Sequence, residues 1–274
     1  MSYRITHTCI QKQIGDLVFY RIPLFENTGN VVAFFTTRLG GSSTIPELQS
    51  MNLGFSKDGE KVENVRTNYE KLCRAFSLIP ENLVLTKQEH TDIILTDAHM
   101  HRGMGWNEPV SIIADSMITN AEDCILVKFT ADCVPVLLFD PVKRVIADVH
   151  DGWRGTVKRL AEKTVQRMCF DYGCDPRDIL AAIGPSIGPC CFEIGSDVAS
   201  VFTEGFDPFY TFPTNPNKYH SNLWSCNVQQ LMESGITADH IAVANICTYC
   251  NNQLFYSYRR EGKNTGSLGA FISL

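Results

Sequence analysis

The chain has 274 residues, of which 44% are hydrophobic and 20% charged, the balance of a globular protein with a sizeable core. Its net charge of −6 is offset by no basic tract, which argues against a general nucleic-acid-binding protein. A few local arginines can still hold a small anion. The central apolar run, residues 134–139, is far too short to span a membrane, and the charged N-terminal stretch does not resemble a signal peptide.

The eleven cysteines are numerous and odd in number. A secreted disulfide scaffold is usually much shorter and pairs its cysteines. Reduced thiols in the cytoplasm are therefore the simpler interpretation, and most of these cysteines are expected to pack as small buried hydrophobic residues. One or two of them are candidates for a metal ligand or a nucleophile.

The first half of the chain is expected to form mainly strands, with one long helix. Apolar residues recur every three or four positions over 58–78, which predicts an amphipathic helix. Strands are expected within 31–41, 82–97 (two short ones), 111–120 and 124–141. The last of these breaks at Asp132-Cys133, and Pro135 argues against regular pairing in the middle of a sheet because proline lacks the N–H of a ladder.

The second half alternates helices with strands and ordered loops. Its predicted elements are a strand reaching a turn (144–156), a helix (156–170), a strand with a rigid loop (179–195), a helix with a Ser/Asp cap (196–206), a surface loop (207–222), a helix (223–235) and strands with turns to the end. No linker or repeat interrupts the pattern. The sequence therefore predicts one mixed α/β domain over residues 1–274.

Three residues combine into a candidate metal site. His90 lies between two predicted strands, Cys133 opens an apolar run, and His150 ends the next run just before a Gly-Trp-Arg-Gly turn. A rigid element that ends at a turn often presents a side chain into a cleft. One thiolate and two imidazoles suit Zn²⁺ and leave a fourth position open for water or substrate. The alternative is a buried cysteine beside two unrelated histidines.

Two further cysteine pairs favour packing over chemistry. Cys247 and Cys250 form a C-x-x-C, which is half of a zinc site, and the sequence contains no second C-x-x-C. The adjacent Cys190 and Cys191 follow a Gly-Pro loop, where close packing is again the favoured interpretation.

Eight stretches taken together resemble one known family. They are "FFTTRLGGSS", "SMNLGF", "TKQEHTD", "ADSMITN", "TADCVPVLLFDP", "VHDGWRGT", "IGPSIGPCCFEIG" and "CTYCNNQLFYSYRREGKNTG". In this order they resemble the bacterial laccase-domain or polyphenol oxidase family. Its members are also described as purine nucleoside phosphorylases with adenosine deaminase activity and as peptidoglycan-editing factors.

The resemblance carries implications for fold and site. It implies an α+β fold, a layered sandwich of mixed β-sheets and helices similar to the catalytic domains of cytotoxic necrotizing factor deamidases. It also implies that His90, Cys133 and His150 are the metal ligands. The family often has small residues beside its histidines, whereas this chain has Glu89, Thr91 and Asp151 there. Since the ligands themselves are intact, these departures bear on substrate or metal preference.

The function expected from this resemblance is a zinc enzyme acting on purine nucleosides. In deamination, zinc would activate the water that replaces the 6-amino group of adenosine, with Asp132 or Asp151 carrying the proton. Cys133, His150 and Asp132 are thus the expected catalytic residues.

The second expected reaction is phosphorolysis of adenosine, inosine or methylthioadenosine. Arg38 and Arg154 lie beside glycines and would hold the phosphate, while Asn52 would bind a hydroxyl or a base edge. The partners are therefore a small nucleoside and phosphate, and the oligomeric state stays open.

Three rival functions remain open. A copper-dependent phenol oxidase is one, because copper binds most sites more tightly than zinc does, although a multicopper array needs more clustered histidines. A metal-free Cys133–His150 hydrolase or amidase that edits a cell-wall precursor is another. The third is a binding protein without enzymatic activity, in which Cys133 is structural.

The aromatic residues of 207–222 also allow two interpretations. Phe209, Tyr210, Phe212 and Tyr219 lie among three prolines in an uncommonly long loop. Their rings could stack on a purine. Alternatively, they pack the loop onto the core or form a subunit contact.

Overall fold

A computed structural model of the protein describes residues 5–29 and 31–274. The strands are β1 (Ile10–Ile14), β2 (Leu17–Arg21), β3 (Val32–Thr36), β4 (Leu83–Leu85), β5 (Ile94–Leu95), β6 (Ser116–Thr119), β7 (Ile125–Thr130), β8 (Val134–Asp140), β9 (Val145–Asp151), β10 (Leu180–Ile183), β11 (Glu193–Gly195), β12 (Thr211–Asn215), β13 (Lys218–Ser221), β14 (Ile241–Val243) and β15 (Leu268–Ser273). The α-helices are α1 (Pro23–Glu26), α2 (Val62–Ala75), α3 (Trp153–Val157), α4 (Leu160–Tyr172), α5 (Ser196–Gly205), α6 (Leu223–Glu233) and α7 (Tyr258–Glu261). No helix in these described ranges is long and apolar enough to cross a membrane.

Two six-stranded mixed sheets form the centre of the fold. The first has the strand order β1-β2-β3-β15-β7-β4, and the second has the order β14-β10-β8-β9-β6-β5. A third sheet of three strands, β11-β13-β12, is antiparallel. The predicted layered α/β architecture with mixed sheets is confirmed.

Alternation of side chains along β8 shows why the two large sheets stack. Leu137 and Phe139 belong to the hydrophobic cluster between the sheets, whereas Val136 and Leu138 belong to the cluster beneath α4, α5 and α6. Successive strand residues point to opposite faces, so a strand between two layers must be apolar on both. All seven residues of β8 are buried, as this requires.

Helix α2 covers the outer face of the first sheet. Its buried Val65, Tyr69 and Leu72 recur at helical spacing and pack against Phe34 and Phe271 of that sheet. Burying side chains of this size contributes about 1.5–3 kcal/mol each. The predicted helix over 58–78 therefore forms, with shorter ends.

The chain changes sheets at the segment that carries the candidate cysteine. β7 belongs to the first sheet and β8 to the second, so residues 131–133 connect the two. The predicted break at Asp132-Cys133 is confirmed. Antiparallel pairing then places Pro135 opposite His150 of β9, which brings the end of β9 beside the connection.

The prediction for Pro135 is wrong. It is the second residue of β8, a central strand between β10 and β9. The pairing of β8 with β10 starts only at Val136, one residue after the proline. The Pro135 carbonyl accepts a hydrogen bond from the Gly184 amide, which follows β10. Proline is tolerated at this strand end because no ladder donor is needed there.

Three other predictions need correction. The helix expected over 156–170 is two helices, α3 and α4, because Arg159 adopts a left-handed conformation with φ 61°. Helix α5 is capped by Gly195 without a side-chain cap bond, not by Ser196 or Asp197. Most of the surface loop expected over 207–222 is the β12–β13 hairpin, and β13 pairs in addition with β11.

Candidate metal centre

Three predicted ligands from separate segments converge in the structure. His90 lies in the loop between β4 and β5, Cys133 in the connection between β7 and β8, and His150 near the end of β9. One ligand atom of each lies within 4.8 Å of the others, and Cys133 Sγ is 3.7 Å from His90 Nε2. The two imidazole rings are inclined by 65° and not stacked, so each can direct a nitrogen to a common point. We call this group the His₂Cys centre.

A buried carboxylate orients His150 within the centre. His150 Nδ1 donates to Asp115 Oδ1 at 2.8 Å, and the His150 backbone amide donates to the Asp115 carbonyl at 2.7 Å. The hydrogen bond on Nδ1 leaves Nε2 as the free acceptor. This arrangement of carboxylate, histidine and metal position is the usual one around zinc in proteins.

The same carboxylate shapes the loop of the second histidine. Asp115 accepts hydrogen bonds from the His90 amide at 3.1 Å and from the Thr91 amide and hydroxyl, both at 2.7 Å. These bonds hold His90 in a left-handed conformation with φ 59°, which is uncommon for a residue other than glycine. Burial alone would raise the pKa of Asp115, but the hydrogen bonds from His150 and Thr91 lower it well below its usual range.

Gly152 leaves the space that the ligands occupy. A Cβ atom at this position would lie 2.9 Å from Cys133 Sγ and 3.0 Å from His90 Cδ2. Its backbone angles, φ −60° and ψ 167°, are open to any residue. The glycine is therefore required by the close approach of two ligand side chains, and not by its own conformation.

The protonation states fit ligands better than a free nucleophile. Burial and neighbouring carboxylates, Asp132 first, raise the pKa of the Cys133 thiol to about 12, and the positive charge of Arg154 opposes the rise. Burial also lowers the pKa of His150, which the hydrogen bond to Asp115 opposes. A neutral imidazole is the form that binds metals, and a cation would displace the thiol proton of Cys133.

Asp132 contacts the C-terminal loop and is not a free carboxylate. Its Oδ1 accepts from the Thr248 hydroxyl at 2.6 Å, and its Oδ2 accepts from the Ser257 hydroxyl at 3.0 Å and the Arg259 amide at 2.7 Å. Three donors on the protein therefore occupy the carboxylate that was expected to carry protons. Its observed contribution is to hold the backbone next to Cys133.

Asp151 and Asn52 do not fit their predicted roles. Asp151 follows His150 in β9 and so points to the opposite face, where Gln230 of α6 donates to it at 3.1 Å. Asn52 is buried, and its amide group bonds Gly54, Glu60 and the Ser267 amide. Neither side chain is available to a substrate in this arrangement.

The two predicted arginines differ. The Arg38 guanidinium donates to the carbonyls of Gln49 and Asn252 and to the Glu261 carboxylate, so these protein groups occupy its donors. Arg154 is exposed on α3, over the ring of Trp153 at 4.3 Å, and its charge reaches Cys133. Arg154 is therefore the predicted arginine with donors open to an anion beside the His₂Cys centre.

Asp115 was missed at the level of sequence. It lies in "SIIADSMITN", where an acidic residue directly precedes a buried strand, and that placement was an available signal. A fully buried carboxylate is rare unless it is paired.

Four cysteines interpreted as packing residues also lie together. The thiols of Cys190, Cys191, Cys247 and Cys250 are all within 4.8 Å of one another. The C-x-x-C pair therefore lies beside the adjacent pair of cysteines, which is about sixty residues earlier in the chain.

These features define a layered α/β protein with a candidate three-ligand metal centre where its two large sheets connect. Residues 32–274 match the family described as multi-copper polyphenol oxidoreductase laccase, and the chain belongs to that family. A purine nucleoside phosphorylase from Bacteroides thetaiotaomicron is 35% identical over 244 residues, covering 87% of this chain and 90% of the relative. The Escherichia coli protein named purine nucleoside phosphorylase YfiH is 33% identical over 255 residues, covering 92% and 98%.

A solved structure shows the same fold. The crystal structure of YlmD from Geobacillus stearothermophilus superposes with a TM-score of 0.89 at 30% identity, covering 97% of this chain and 98% of that one.

Proposed function

We propose that the protein is a metal-dependent purine nucleoside phosphorylase that also deaminates adenosine. Its relatives named purine nucleoside phosphorylase support the first activity, since they match along nearly their whole length. Phosphorolysis breaks the C1′–N9 bond of the nucleoside and joins C1′ to a phosphate oxygen, giving a free purine and ribose 1-phosphate. Deamination converts adenosine and water to inosine and ammonia.

The observation that carries the proposal is the His₂Cys centre with Asp115 behind it. Two imidazoles and one thiolate suit borderline-soft Zn²⁺, and three protein ligands leave one position for a reactant. When bound, zinc would supply a Lewis acid that polarises an oxygen of the reactant. We propose His90, Cys133 and His150 as its ligands.

The protein residues around the centre have distinct tasks in this proposal. Asp115 keeps the proton on His150 Nδ1 and so directs Nε2 into the centre. The exposed guanidinium of Arg154 binds phosphate through its planar fork and offsets charge as the purine leaves. Asp132 fixes the connection that carries Cys133 and is a positioning residue, since its oxygens are bonded to Thr248, Ser257 and Arg259.

Product analysis tests the proposal directly. Zinc-loaded protein is incubated with adenosine or inosine, with and without phosphate, and the products are separated by chromatography. We expect free purine and ribose 1-phosphate only when phosphate is present, and inosine from adenosine in either case. His150→Ala should abolish both reactions, whereas His7→Ala, at an exposed histidine, should not. If the zinc-loaded wild-type protein formed neither ribose 1-phosphate nor inosine, that result would contradict the proposal.

A copper-dependent phenol oxidase is the second candidate. The family description and the His₂Cys donor set favour it, since copper also binds imidazole and thiolate. Within residues 5–29 and 31–274, however, the His₂Cys centre is the only candidate metal group that contains histidine, and a multicopper array needs several. Two measurements distinguish the copper oxidase from the zinc nucleoside enzyme. They are metal analysis of protein produced without added copper and oxygen uptake in the presence of a phenol.

A metal-free cysteine hydrolase is the third candidate, by analogy with the Cys-His pair of cytotoxic necrotizing factor deamidases. Cys133 Sγ contacts His90 Nε2 at 3.7 Å, so His90 and not His150 would be the partner base. The raised pKa of the Cys133 thiol opposes this chemistry, because the thiolate is the nucleophile. Activity that survives a strong chelator would favour the hydrolase over the zinc enzyme.

The free cysteines support a proposal about location. All eleven are unpaired thiols in the structure, as expected for a chain kept in the reducing cytoplasm. We propose that the whole chain acts there as a single domain.

A further inference from the structure

A second cluster of metal-binding side chains lies outside the His₂Cys centre. Cys190 and Cys191 lie in the loop between β10 and β11, and Cys247 and Cys250 lie in the loop after β14. Cys250 Sγ is 3.4 Å from Cys191 Sγ and 3.6 Å from Cys190 Sγ, and all four sulfur atoms lie within 4.8 Å of one another. We call these four residues the tetracysteine cluster.

We propose that the tetracysteine cluster binds one structural Zn²⁺ ion. Zinc–sulfur bonds of about 2.3 Å in a tetrahedron place the sulfur atoms roughly 3.8 Å apart. The two separations of 3.4 and 3.6 Å are close to that value. The other sulfur atoms lie within 4.8 Å of one another, so only small movements would be needed to reach it. Four thiolates close the coordination shell, which is the arrangement of structural and not catalytic zinc sites.

Backbone hydrogen bonds hold the two loops side by side independently of the sulfur atoms. The Ser186 amide donates to the Ile246 carbonyl at 3.2 Å, and the Thr248 amide donates to the Ser186 carbonyl at 3.0 Å. The Gly188 amide donates to Cys247 Sγ at 3.2 Å, a contact that stabilises a thiolate. The cluster is therefore a site arranged by the fold, with a hydrogen bond already directed at one ligand.

Packing and disulfide formation explain the cluster less well. Cys190 and Cys250 are exposed, so they are not hydrophobic core residues. Every thiol of the group is free, and the 3.4 Å between the sulfur atoms of Cys191 and Cys250 is well beyond a covalent S–S bond of about 2.05 Å. Four free thiols brought together by two loops are suited to a soft divalent ion.

The proposed ion would brace the loops that support the His₂Cys centre. Thr248, between two ligands of the cluster, donates to the Asp132 carboxylate. Arg259 donates its amide to the same carboxylate and its guanidinium to the carbonyls of Cys191 and Glu193. Loss of the ion should therefore loosen the hydrogen bonds that fix the backbone next to Cys133.

Zinc counting in variants tests the proposal without any enzyme assay. His150→Ala protein, purified from zinc-supplemented culture, should retain one zinc per chain at the tetracysteine cluster. His150→Ala/Cys250→Ser should retain none. His150→Ala/Cys169→Ser is the matched control, since Cys169 is a partly buried helical cysteine outside the cluster, and it should keep its zinc. Because the count is made with the His₂Cys centre disabled, it stands even if the proposed function fails.

Cobalt spectroscopy identifies the ligands. Co²⁺ bound to His150→Ala protein should show the intense thiolate-to-metal charge-transfer and tetrahedral bands of a tetrathiolate site. Adding Cys190→Ser to the His150→Ala protein should remove most of that absorption, whereas adding Cys169→Ser should not. If the serine variants fail to fold, chelation of the His150→Ala protein replaces them, and it should release one zinc and expose the four thiols to a thiol reagent.

Several results would overturn the proposal. They are zinc retained in full by the His150→Ala/Cys250→Ser variant, iron in place of zinc in the His150→Ala protein, or thiols of that protein that react equally with and without the chelator.

Discussion

Replacing Gly152 by alanine places one methyl group between two of the proposed ligands. The new Cβ would lie 2.9 Å from Cys133 Sγ and 3.0 Å from His90 Cδ2, whereas non-bonded heavy atoms prefer about 3.5–4.0 Å. One or both side chains must therefore move by roughly 0.5–1 Å. Metal–ligand bonds tolerate deviations of only about 0.2 Å, so the displacement exceeds what the His₂Cys centre can accommodate.

The expected loss is large in metal affinity and moderate in stability. Disturbing the residues that orient metal ligands typically lowers affinity or activity about 10–100-fold, and direct displacement of two ligands should reach the upper end. Overpacking a buried position costs about 1–3 kcal/mol of folding free energy. The backbone angles at Gly152 add no strain for alanine, so the effect isolates the side-chain contact.

A competition titration of zinc against a chromophoric chelator measures the affinity, and thermal unfolding of the metal-free protein measures the stability. Gly205→Ala is the matched control, because an added Cβ at this last residue of helix α5 would have no heavy atom within 4 Å apart from its chain neighbours and the backbone of its own helix. It should leave metal affinity unchanged. Wild-type zinc affinity in Gly152→Ala would refute the assignment of Cys133 and His90 as neighbouring ligands.

Three further predictions concern the surroundings of the centre. Asp115→Asn should lower zinc affinity about 10–100-fold in the same titration, because the amide is a weaker acceptor for His150 Nδ1 than the carboxylate; an unchanged affinity would remove Asp115 from this role. Arg154→Lys should raise the KM for phosphate about tenfold with the melting temperature unchanged, since charge is kept and the planar fork is lost; kinetics unaffected at every phosphate concentration would return Arg154 to an ordinary surface residue. In the β12–β13 region, Tyr210→Ala should destabilise the fold by about 1–3 kcal/mol because Tyr210 packs against the core, while Phe209→Ala, 90% exposed, should not. Purine stacking by Phe209 would instead appear as a raised nucleoside KM in the second variant.

Local sequence pattern predicted most elements, and together with the family resemblance it singled out three candidate ligands that lie close together in the structure. Helix α2 is predicted by apolar residues at helical spacing, because one of its faces is buried. Strands β8 and β9 are predicted by continuous apolar runs, because both of their faces are buried. His90 lies between two predicted strands, Cys133 opens an apolar run and His150 ends the next one, and their donor chemistry is complementary. Their positions and donor chemistry can be recognised in the sequence without knowing that the three segments meet in the fold.

Local pattern was misleading where a nearby hydrogen bond or turn decides the outcome. Pro135 is accommodated in a central strand because the pairing of β8 with β10 begins one residue later, so no hydrogen bond from a Pro135 N–H is needed. The single left-handed residue Arg159 divides one predicted helix into two. Asp132 looked like a proton carrier, but the C-terminal loop occupies its carboxylate.

By itself, the sequence determined the layered α/β class, most of its elements and the donor set of one candidate metal site. Only the tertiary structure showed that Asp115 joins His90 to His150, that Gly152 leaves room for them, and that two cysteine pairs about sixty residues apart form one cluster. The physical reason is the range of the interactions. Apolar periodicity is imposed by neighbours three or four positions away, whereas hydrogen-bond satisfaction and the convergence of ligands depend on which distant segments the packed core brings within a few ångströms.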